Sequence, residues 1–254
     1  MGVIANNPRF TILAETDDYI VVSKPAPLKV HPSSPDGAPT LYDELRGLLA
    51  YELLFGGQIS IINRLDRETS GVTLVAKTHE TARRFGMAMM AHQFHKTYQA
   101  IVYGWPDWEN HDLSAPILRK GEITPSPIYV KQMVHETGTP CRTRFRVLSR
   151  FEGGNGQRFA LINCEPVTGR MHQIRVHLSH LGHPLVGDKM YGADETCYLD
   201  FIVTGWTEDL QRRLLLKRHA LHSARLELEG QQAWEAPLPD DMAAFLGPHP
   251  GRSE

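Results

Sequence analysis

The amino-acid sequence predicts an α+β fold with a mixed, largely antiparallel central sheet and flanking helices and loops. Short runs of β-branched and aromatic residues, such as 19–23 and 97–103, are typical of strands. Leucines at helical spacing between residues 41 and 49 indicate an amphipathic helix. The two patterns do not alternate in a steady βαβα order, which makes a doubly wound parallel fold the poorer explanation.

Strands are predicted where such runs are bounded by turn-forming residues. The predicted strands are residues 19–23, 59–62, 72–77, 97–103, 158–165 and 221–229. A loop rich in proline, serine and glycine is expected at residues 25–39, and a less regular region with several prolines at residues 105–130.

Helices are predicted from capping residues followed by apolar residues at helical spacing. Thr40, with Asp43 three residues later, has the pattern of a capping box at the start of the first helix. Thr78 suits the N-cap of a second helix. A third helix is expected over residues 171–181, closed by Gly182.

The composition is that of an ordinary globular chain, with 254 residues, 41% of them hydrophobic and 22% charged. No apolar run approaches the roughly 18 residues of a membrane helix, and the N-terminus lacks a signal-peptide pattern, so a cytoplasmic protein is expected. The three widely spaced cysteines fit neither a disulfide framework nor a zinc site, and no metal is expected. One domain is predicted over residues 11–246, with tails at 1–10 and 247–254.

Positive charge is concentrated locally, although the formal net charge is only −2. Residues 141–180 contain seven arginines against two acids, and a second basic cluster covers residues 212–219. A solvated face explains either cluster as well as a binding surface does. Overall charge therefore does not identify a nucleic-acid binder, and any such role needs a local basic surface.

The densest polar cluster is the segment NRLDRETSG at residues 63–71, between two predicted strands. Arg64 and Arg67 flank Asp66, and nearby cations keep a carboxylate ionised, which suits a nucleophile or base. Thr69 and the Ser-Gly pair after it can fix the turn. From these residues alone, a salt-bridged connecting loop is the more common explanation.

A second polar cluster starts at residues 168–170 and continues into the predicted third helix. If the apolar residues of that helix face the core, His172, Arg175 and Ser179 share another face. Such a stripe can bind an anion or hold a carboxylate such as Asp66. Metal binding by the histidines of this region is disfavoured because no carboxylate or cysteine completes a recognised ligand set.

Tyr98 lies near the start of the predicted strand 97–103. Packing is the usual role of such a tyrosine, but its ring can also support a planar base by stacking. The glycine-rich phosphate-binding motifs and the GxSxG and HExxH motifs do not occur in the sequence, so no cofactor is indicated.

Five segments of the chain, in order, are similar to those of one enzyme family. Residues 63–71 resemble the catalytic signature of the RluA family of pseudouridine synthases, commonly His-Arg-Leu-Asp, two further residues and Thr-Ser-Gly. The other similar segments are residues 18–32, 96–102, 168–192 and 218–223. Asn63 departs from the common histidine, and Met171 from the more frequent threonine or lysine.

The resemblance implies the pseudouridine synthase catalytic fold and conversion of a uridine in RNA to pseudouridine without a cofactor. It implies that Asp66 is the essential carboxylate, that Tyr98 lies against the uracil and that Arg175 keeps Asp66 charged. Arg64 is implied to fill the space left by the flipped nucleotide. The residues implied to bind or shape the substrate are Arg64, Arg67, Thr69, Arg170, His172 and Gln173.

Partners and alternatives remain open at this point. The resemblance is to minimal members without an S4-like RNA-binding region, acting on tRNA or rRNA, and the small size slightly favours tRNA. The sequence does not indicate the oligomeric state, and a monomer is expected by default. Basic residues in 142–150 and 212–218 are expected to contact RNA phosphates. A carboxylate glycosidase using Asp66 and Glu68 is one alternative. An RNA-binding factor without chemistry is the other.

Overall fold

The computed structural model describes residues 8–32, 37–192 and 194–247, which form two compact units. The first unit contains the described residues up to His95 together with Ser223–Pro237. The second contains Lys96–His222 and the described residues from Leu238 onwards. The parts of the predicted tails at 1–7 and 248–254 lie outside the described residues.

Both units combine strands and helices, which confirms the predicted α+β class. The strands are β1 (Thr11–Glu15), β2 (Tyr19–Lys24), β3 (Ser60–Ile61), β4 (Ser70–Ala76), β5 (Phe94–Tyr103), β6 (Asn110–Ser114), β7 (Ile117–Arg119), β8 (Gln132–Val134), β9 (Arg142–Glu152), β10 (Arg158–Pro166), β11 (Leu221–Leu228) and β12 (Gln232–Glu235). The helices are α1 (Leu41–Leu48), α2 (Ala50–Leu54), α3 (His79–Met90), α4 (Gln173–His180), α5 (Thr196–Thr204), α6 (Glu208–Leu214) and α7 (Asp240–Leu246).

The first unit is a sheet covered by helices. Its strands β1, β2 and β4 lie side by side in antiparallel pairs, β3 pairs antiparallel with the end of β4, and β11 pairs with β12. Strand β4 is buried along its whole length. Phe85 of α3 packs on one face of the sheet, and Leu41 and Leu45 of α1 belong to the apolar cluster around Val75 on the other. A buried strand of this kind provides a rigid support for the loop that precedes it.

The predicted helix caps of the first unit are confirmed. Thr40 and Asp43 form the reciprocal capping box of α1, with Thr40 N donating to Asp43 Oδ2 at 2.9 Å. Thr78 accepts from Thr81 N at 3.2 Å at the start of α3. Phe10, which the sequence placed in the N-terminal tail, is buried in the apolar cluster that includes α1.

The second unit is built on the antiparallel order β5, β10, β9, β6, with a separate β7–β8 pair. Its core includes Ile101, Phe159, Val186 and Ala220, and α7 inserts Met242 among them. The pairing of β5 with β10 sets Tyr98 opposite Cys164. The backbone of Tyr98 is thus fixed by strand pairing, and its side chain is buried.

Several elements were not predicted. Strand β9 is the longest in the described residues, yet its sequence was interpreted only as a basic stretch. Its exposed arginines alternate with buried Thr143, Phe145 and Val147, a period of two that is typical of strands. Strands β1 and β12 and the helices after residue 190 were also missed. In the described ranges no helix is long and apolar enough to cross a membrane.

Candidate active site

The loop between β3 and β4 carries Asp66. Leu65 and Thr69 are buried and hold the loop against the first unit, whereas Arg64 and Arg67 are exposed and Asp66 is half-buried. Thr69 N donates to the carbonyl of Asp66 at 3.1 Å, which closes a tight turn. The predicted polar turn is confirmed, and it presents two arginine side chains to solvent on either side of the carboxylate.

Asn63 fixes the start of this loop. Its side chain is buried, with Nδ2 donating to the carbonyl of Val72 and Oδ1 accepting from Leu74 N, each at 2.8 Å. Both partners are backbone groups of β4. The residue that departs from the family's common histidine thus ties the Asp66 loop to the adjacent strand.

Lys24, at the end of β2, supports the other side of the loop. Its ammonium is fully buried and donates to the carbonyls of Leu28 at 2.8 Å, Pro25 at 3.1 Å and Arg67 at 3.3 Å. The Arg67 carbonyl also accepts from Leu28 N at 3.0 Å. A lysine beside a proline in the sequence indicates only a turn, so its role as the buried anchor of the Asp66 loop was not predicted.

Gly71 ends the turn where only glycine fits. Its φ of +114° is in a region that residues with a Cβ rarely adopt, and a Cβ there would lie 2.1 Å from the carbonyl oxygen of Ser223. Strands β4 and β11 approach closely at this point. Glycine at position 71 is therefore required by the packing of the first unit.

Gln173 organises the second polar cluster. Its Oε1 accepts from Thr168 Oγ1 at 2.7 Å and from Arg170 N at 3.1 Å, and its Nε2 donates to Arg142 O and Thr143 Oγ1, both at 2.9 Å. All four hydrogen-bonding positions of the amide are occupied within the second unit. Gln173 thus shapes the turn that presents Arg170 to solvent.

His172 precedes α4 in a left-handed backbone conformation, with φ of 58°. Its Nδ1 lies 2.8 Å from the hydroxyl of Tyr191, which accepts from Gln132 N at 2.8 Å. The predicted helix start at residue 171 was therefore two residues early. The strained backbone turns His172 towards Tyr191 and away from the helix axis.

The polar side chains of α4 are not exposed. Every residue from Gln173 to Leu178 is buried, Arg175 among them, and the predicted role of His172, Arg175 and Ser179 in binding an anion or Asp66 remains a prediction. Within the helix, His177 is fully buried and bonds Thr143 Oγ1 through Nδ1 and the carbonyl of Ala115 through Nε2, each at 2.9 Å. These contacts fix α4 against the sheet of the second unit.

Arg175 is held by a partner that was not predicted. Its Nε and Nη2 donate to the two carboxylate oxygens of Asp188 at 2.7 and 2.9 Å, and both residues are buried. Asp188 Oδ1 also accepts from the backbone of Met190 and Tyr191. The signal available in the sequence was the Gly187-Asp188 segment, which resembles the family but reveals no pairing.

The predicted site residues are thus divided between the two units. Arg64, Asp66, Arg67 and Thr69 share the loop before β4 in the first unit. The remainder belong to the second unit and are Tyr98, Arg170, His172, Gln173 and Arg175. The predicted pairing of Arg175 with Asp66 remains a prediction.

The arginines of the basic clusters differ in their surroundings. Arg142 and Arg144 pair with Asp112, and Arg213 pairs with three aspartates. Arg218 is buried against Asp241, so it cannot contribute to an RNA-binding surface as predicted. A count of arginines therefore overstated the positive surface of the 212–219 cluster.

The described residues contain no group of three metal-ligating side chains, and the three cysteines are free and buried. Burial raises the pKa of the Cys164 thiol well above its ordinary value. None of these thiols is accessible for nucleophilic chemistry.

Several known proteins are similar to this chain in sequence. The family described as RNA pseudouridylate synthase matches residues 18–180. The chain is 37% identical over 243 residues to ribosomal large subunit pseudouridine synthase D of Nitrosomonas europaea, covering 92% of this chain and 64% of that protein. It is 34% identical over 251 residues to the protein of the same name from Pseudomonas aeruginosa, covering 96% and 72% of the two chains.

A solved structure supports the same assignment. The human protein named RNA pseudouridylate synthase domain containing 4 superposes with a TM-score of 0.71 at 25% identity, covering 93% of this chain and 91% of that one. This chain belongs to the RNA pseudouridylate synthase family. It spans less than two thirds of the length of the Nitrosomonas relative.

Proposed function

We propose that this protein isomerises a uridine in RNA to pseudouridine, with Asp66 as the essential carboxylate. The observation that carries the proposal is the Asp66 loop itself. Its family-like sequence is held in one conformation by buried Lys24, Asn63 and Gly71, which leave Asp66 half-buried between two exposed arginines. Such restraint suits a carboxylate that must be positioned for reaction rather than a flexible surface turn.

The proposed reaction breaks the N1–C1′ glycosidic bond, turns the uracil and joins C5 to C1′, so it is an isomerisation without redox change. Arg64, exposed beside Asp66, is proposed to fill the space of the flipped nucleotide, whose unstacking costs a few kcal/mol. Tyr98 is proposed to lie against the uracil. The ion pair with Asp188 fixes the Arg175 guanidinium, which supports its proposed role of keeping Asp66 charged.

The proposed substrate is ribosomal RNA of the large subunit. Relatives from several bacteria carry that substrate in their names, among them those of Nitrosomonas, Yersinia and Pseudomonas. This favours rRNA over the tRNA that small size suggested. The proposal includes a cytoplasmic monomer with one catalytic domain over residues 11–246, in which Arg67, Thr69, Arg170, His172 and Gln173 bind or shape the substrate.

Mapping pseudouridine after incubation with RNA tests the proposal. Total RNA from a strain lacking the gene is incubated with the purified protein, and pseudouridine is mapped by chemical labelling. We expect new pseudouridine at one large-subunit rRNA position with the wild-type protein and none with Asp66→Asn. Modification of tRNA alone would contradict the rRNA assignment.

The same experiment separates the two alternatives. A glycosidase would release free uracil and would lose activity in Glu68→Gln. An RNA-binding factor would form no pseudouridine, and its Asp66→Asn variant would be as active as the wild-type protein. Either result, with a folded protein, would overturn the proposed isomerase activity.

A further inference from the structure

A polar groove of about 370 Å³ lies on one face of strands β6, β9 and β10 in the second unit. The strand register arranges its polar side chains in two rows. These are Asn110 with Arg146 and Asn163 in the first row, and Asp112 with Arg144 and Glu165 in the second. The groove residues all belong to the second unit, whereas the Asp66 loop belongs to the first.

Asn163 has a buried acceptor without a partner. Its Oδ1 is inaccessible to solvent and makes no hydrogen bond within residues 8–32, 37–192 and 194–247. An unsatisfied buried acceptor is destabilising, so such atoms call for an explanation. A ligand whose binding turns the Asn163 amide, so that its oxygen accepts a hydrogen bond in the groove, supplies one.

The charges around Asn163 are not all neutralised. Arg144 shares Asp112 with Arg142, so two guanidinium groups face one carboxylate. Arg146 is exposed and has no acidic partner among the described residues. The groove thus combines arginines able to contact phosphate or stack on a base with the exposed carboxylate of Glu165. The Asn163 oxygen becomes a second acceptor when its amide rotates towards the groove.

We infer that this groove binds an unpaired nucleotide of the RNA substrate, with guanine the preferred base. A guanine carries adjacent N–H donors on its Watson–Crick edge, which suit a carboxylate and a neighbouring amide oxygen. Uracil has a single such donor. Unpaired bases stacked on arginine and read along their edges are the usual targets of sequence-specific RNA recognition.

The groove contacts RNA away from the target uridine. Successive side chains of a strand point to opposite faces, so Gln99, which pairs with Asn163, lies on the face opposite to Tyr98. The bound nucleotide is therefore a different one from the uridine beside Tyr98. This inference rests on the proposed function in one respect, namely that the RNA bound in the groove is the substrate of the proposed reaction.

Binding to short oligonucleotides tests the groove without requiring catalysis. Fluorescence anisotropy is measured for labelled uridine hexamers that carry guanine, adenine, cytosine or uridine at one central position. We expect the guanine oligomer to bind about tenfold more tightly than the all-uridine oligomer. Asn163→Leu should abolish that preference, and Arg146→Glu should weaken the binding of all four oligomers.

Kinetics give an independent readout. KM is measured on the long RNA that the wild-type protein modifies and on a short stem-loop that contains the target uridine but little flanking sequence. Arg146→Glu should raise KM about tenfold on the long RNA and leave the stem-loop unchanged. Arg83→Glu is the matched control, because Arg83 is an exposed arginine on α3 outside the groove.

Two outcomes overturn the inference. One is guanine preference that persists in Asn163→Leu with circular dichroism like that of the wild type. The other is an Arg146→Glu effect no larger than that of Arg83→Glu. The proposed function and the groove can also be separated. If no RNA acquires pseudouridine, the proposed function is overturned. If the protein nevertheless prefers guanine and Asn163→Leu removes that preference, the inference that the groove binds guanine is supported.

Discussion

Arg175 and Asp188 form a bidentate ion pair in the interior of the second unit, with Nε to Oδ2 at 2.7 Å and Nη2 to Oδ1 at 2.9 Å. The guanidinium also lies 4.9 Å from the ring centroid of Tyr191, whose hydroxyl contacts His172. One buried carboxylate thus fixes Arg175 directly, and Tyr191, packed against Arg175, fixes His172. Asp188 is a positioning residue for the predicted catalytic arginine.

Replacing Asp188 should destabilise the protein and impair the reaction. Asp188→Asn leaves the buried Arg175 guanidinium without its counter-charge, which typically costs 3–5 kcal/mol. Urea unfolding measures this loss, and kcat should fall more than KM rises because a positioning residue is disturbed. The exposed Asp209→Asn is the control, expected within about 0.5 kcal/mol of the wild type. Equal stability of the two variants would contradict the assignment.

The same pair predicts loss of stability in acid. Burial opposes ionisation of Asp188, but the charge and hydrogen bonds of Arg175 hold the pKa of that carboxyl well below its usual range. A folded-state pKa below the unfolded one favours folding above pH about 4, and this contribution is lost as pH falls through the folded pKa. Acid unfolding curves should be shallower for Asp188→Asn than for the wild type.

His177 predicts a second pH dependence, at milder pH. Burial lowers the pKa of its imidazole, although the hydrogen bond to the Ala115 carbonyl opposes the shift. The unfolded chain therefore binds a proton that the folded one resists, and stability decreases as pH falls below about 6.5. Urea unfolding between pH 7 and pH 5 measures this slope. His177→Gln should reduce it, whereas the exposed His79→Gln should not.

Gly71→Ala should prevent normal folding of the Asp66 loop. The added Cβ would lie 2.1 Å from the Ser223 carbonyl oxygen at a positive φ, so β4 or β11 must move. We expect a loss of more than about 3 kcal/mol in unfolding free energy or insoluble protein. Gly86→Ala in α3 is the matched control, because its Cβ meets no atom within 4 Å. It should stabilise the protein by about 0.5–1 kcal/mol.

Lys24→Met should loosen the Asp66 loop. The substitution keeps most of the length of the side chain but removes the donor that the carbonyls of Pro25, Leu28 and Arg67 share, while the Arg67 carbonyl keeps its bond from Leu28 N. A buried acceptor left unsatisfied costs about 1–3 kcal/mol. Thermal unfolding should show a lower Tm, and hydrogen exchange should increase in the loop. The exposed Lys217→Met should behave like the wild type; a similar Tm for both variants would contradict the anchoring role.

Local patterns in the sequence predicted much of the fold correctly. The caps at Thr40 and Thr78 depend on neighbours three residues away, so they can be recognised without the fold. The polar turn around Asp66 was likewise evident between two apolar runs. Strand β9 had an equally local signal, but its arginines were interpreted as charge and their alternation was overlooked.

The sequence by itself determined the family, the Asp66 turn and the order of the matching segments, because these follow from residue types at short spacing. Only the tertiary structure decided which distant groups pair with the buried charges. Lys24 with the Arg67 carbonyl, Arg175 with Asp188 and Arg218 with Asp241 are pairs whose partners lie 13 to 43 residues apart. Burial makes each of these charges require a partner, and chain packing, which no local pattern encodes, determines the partner.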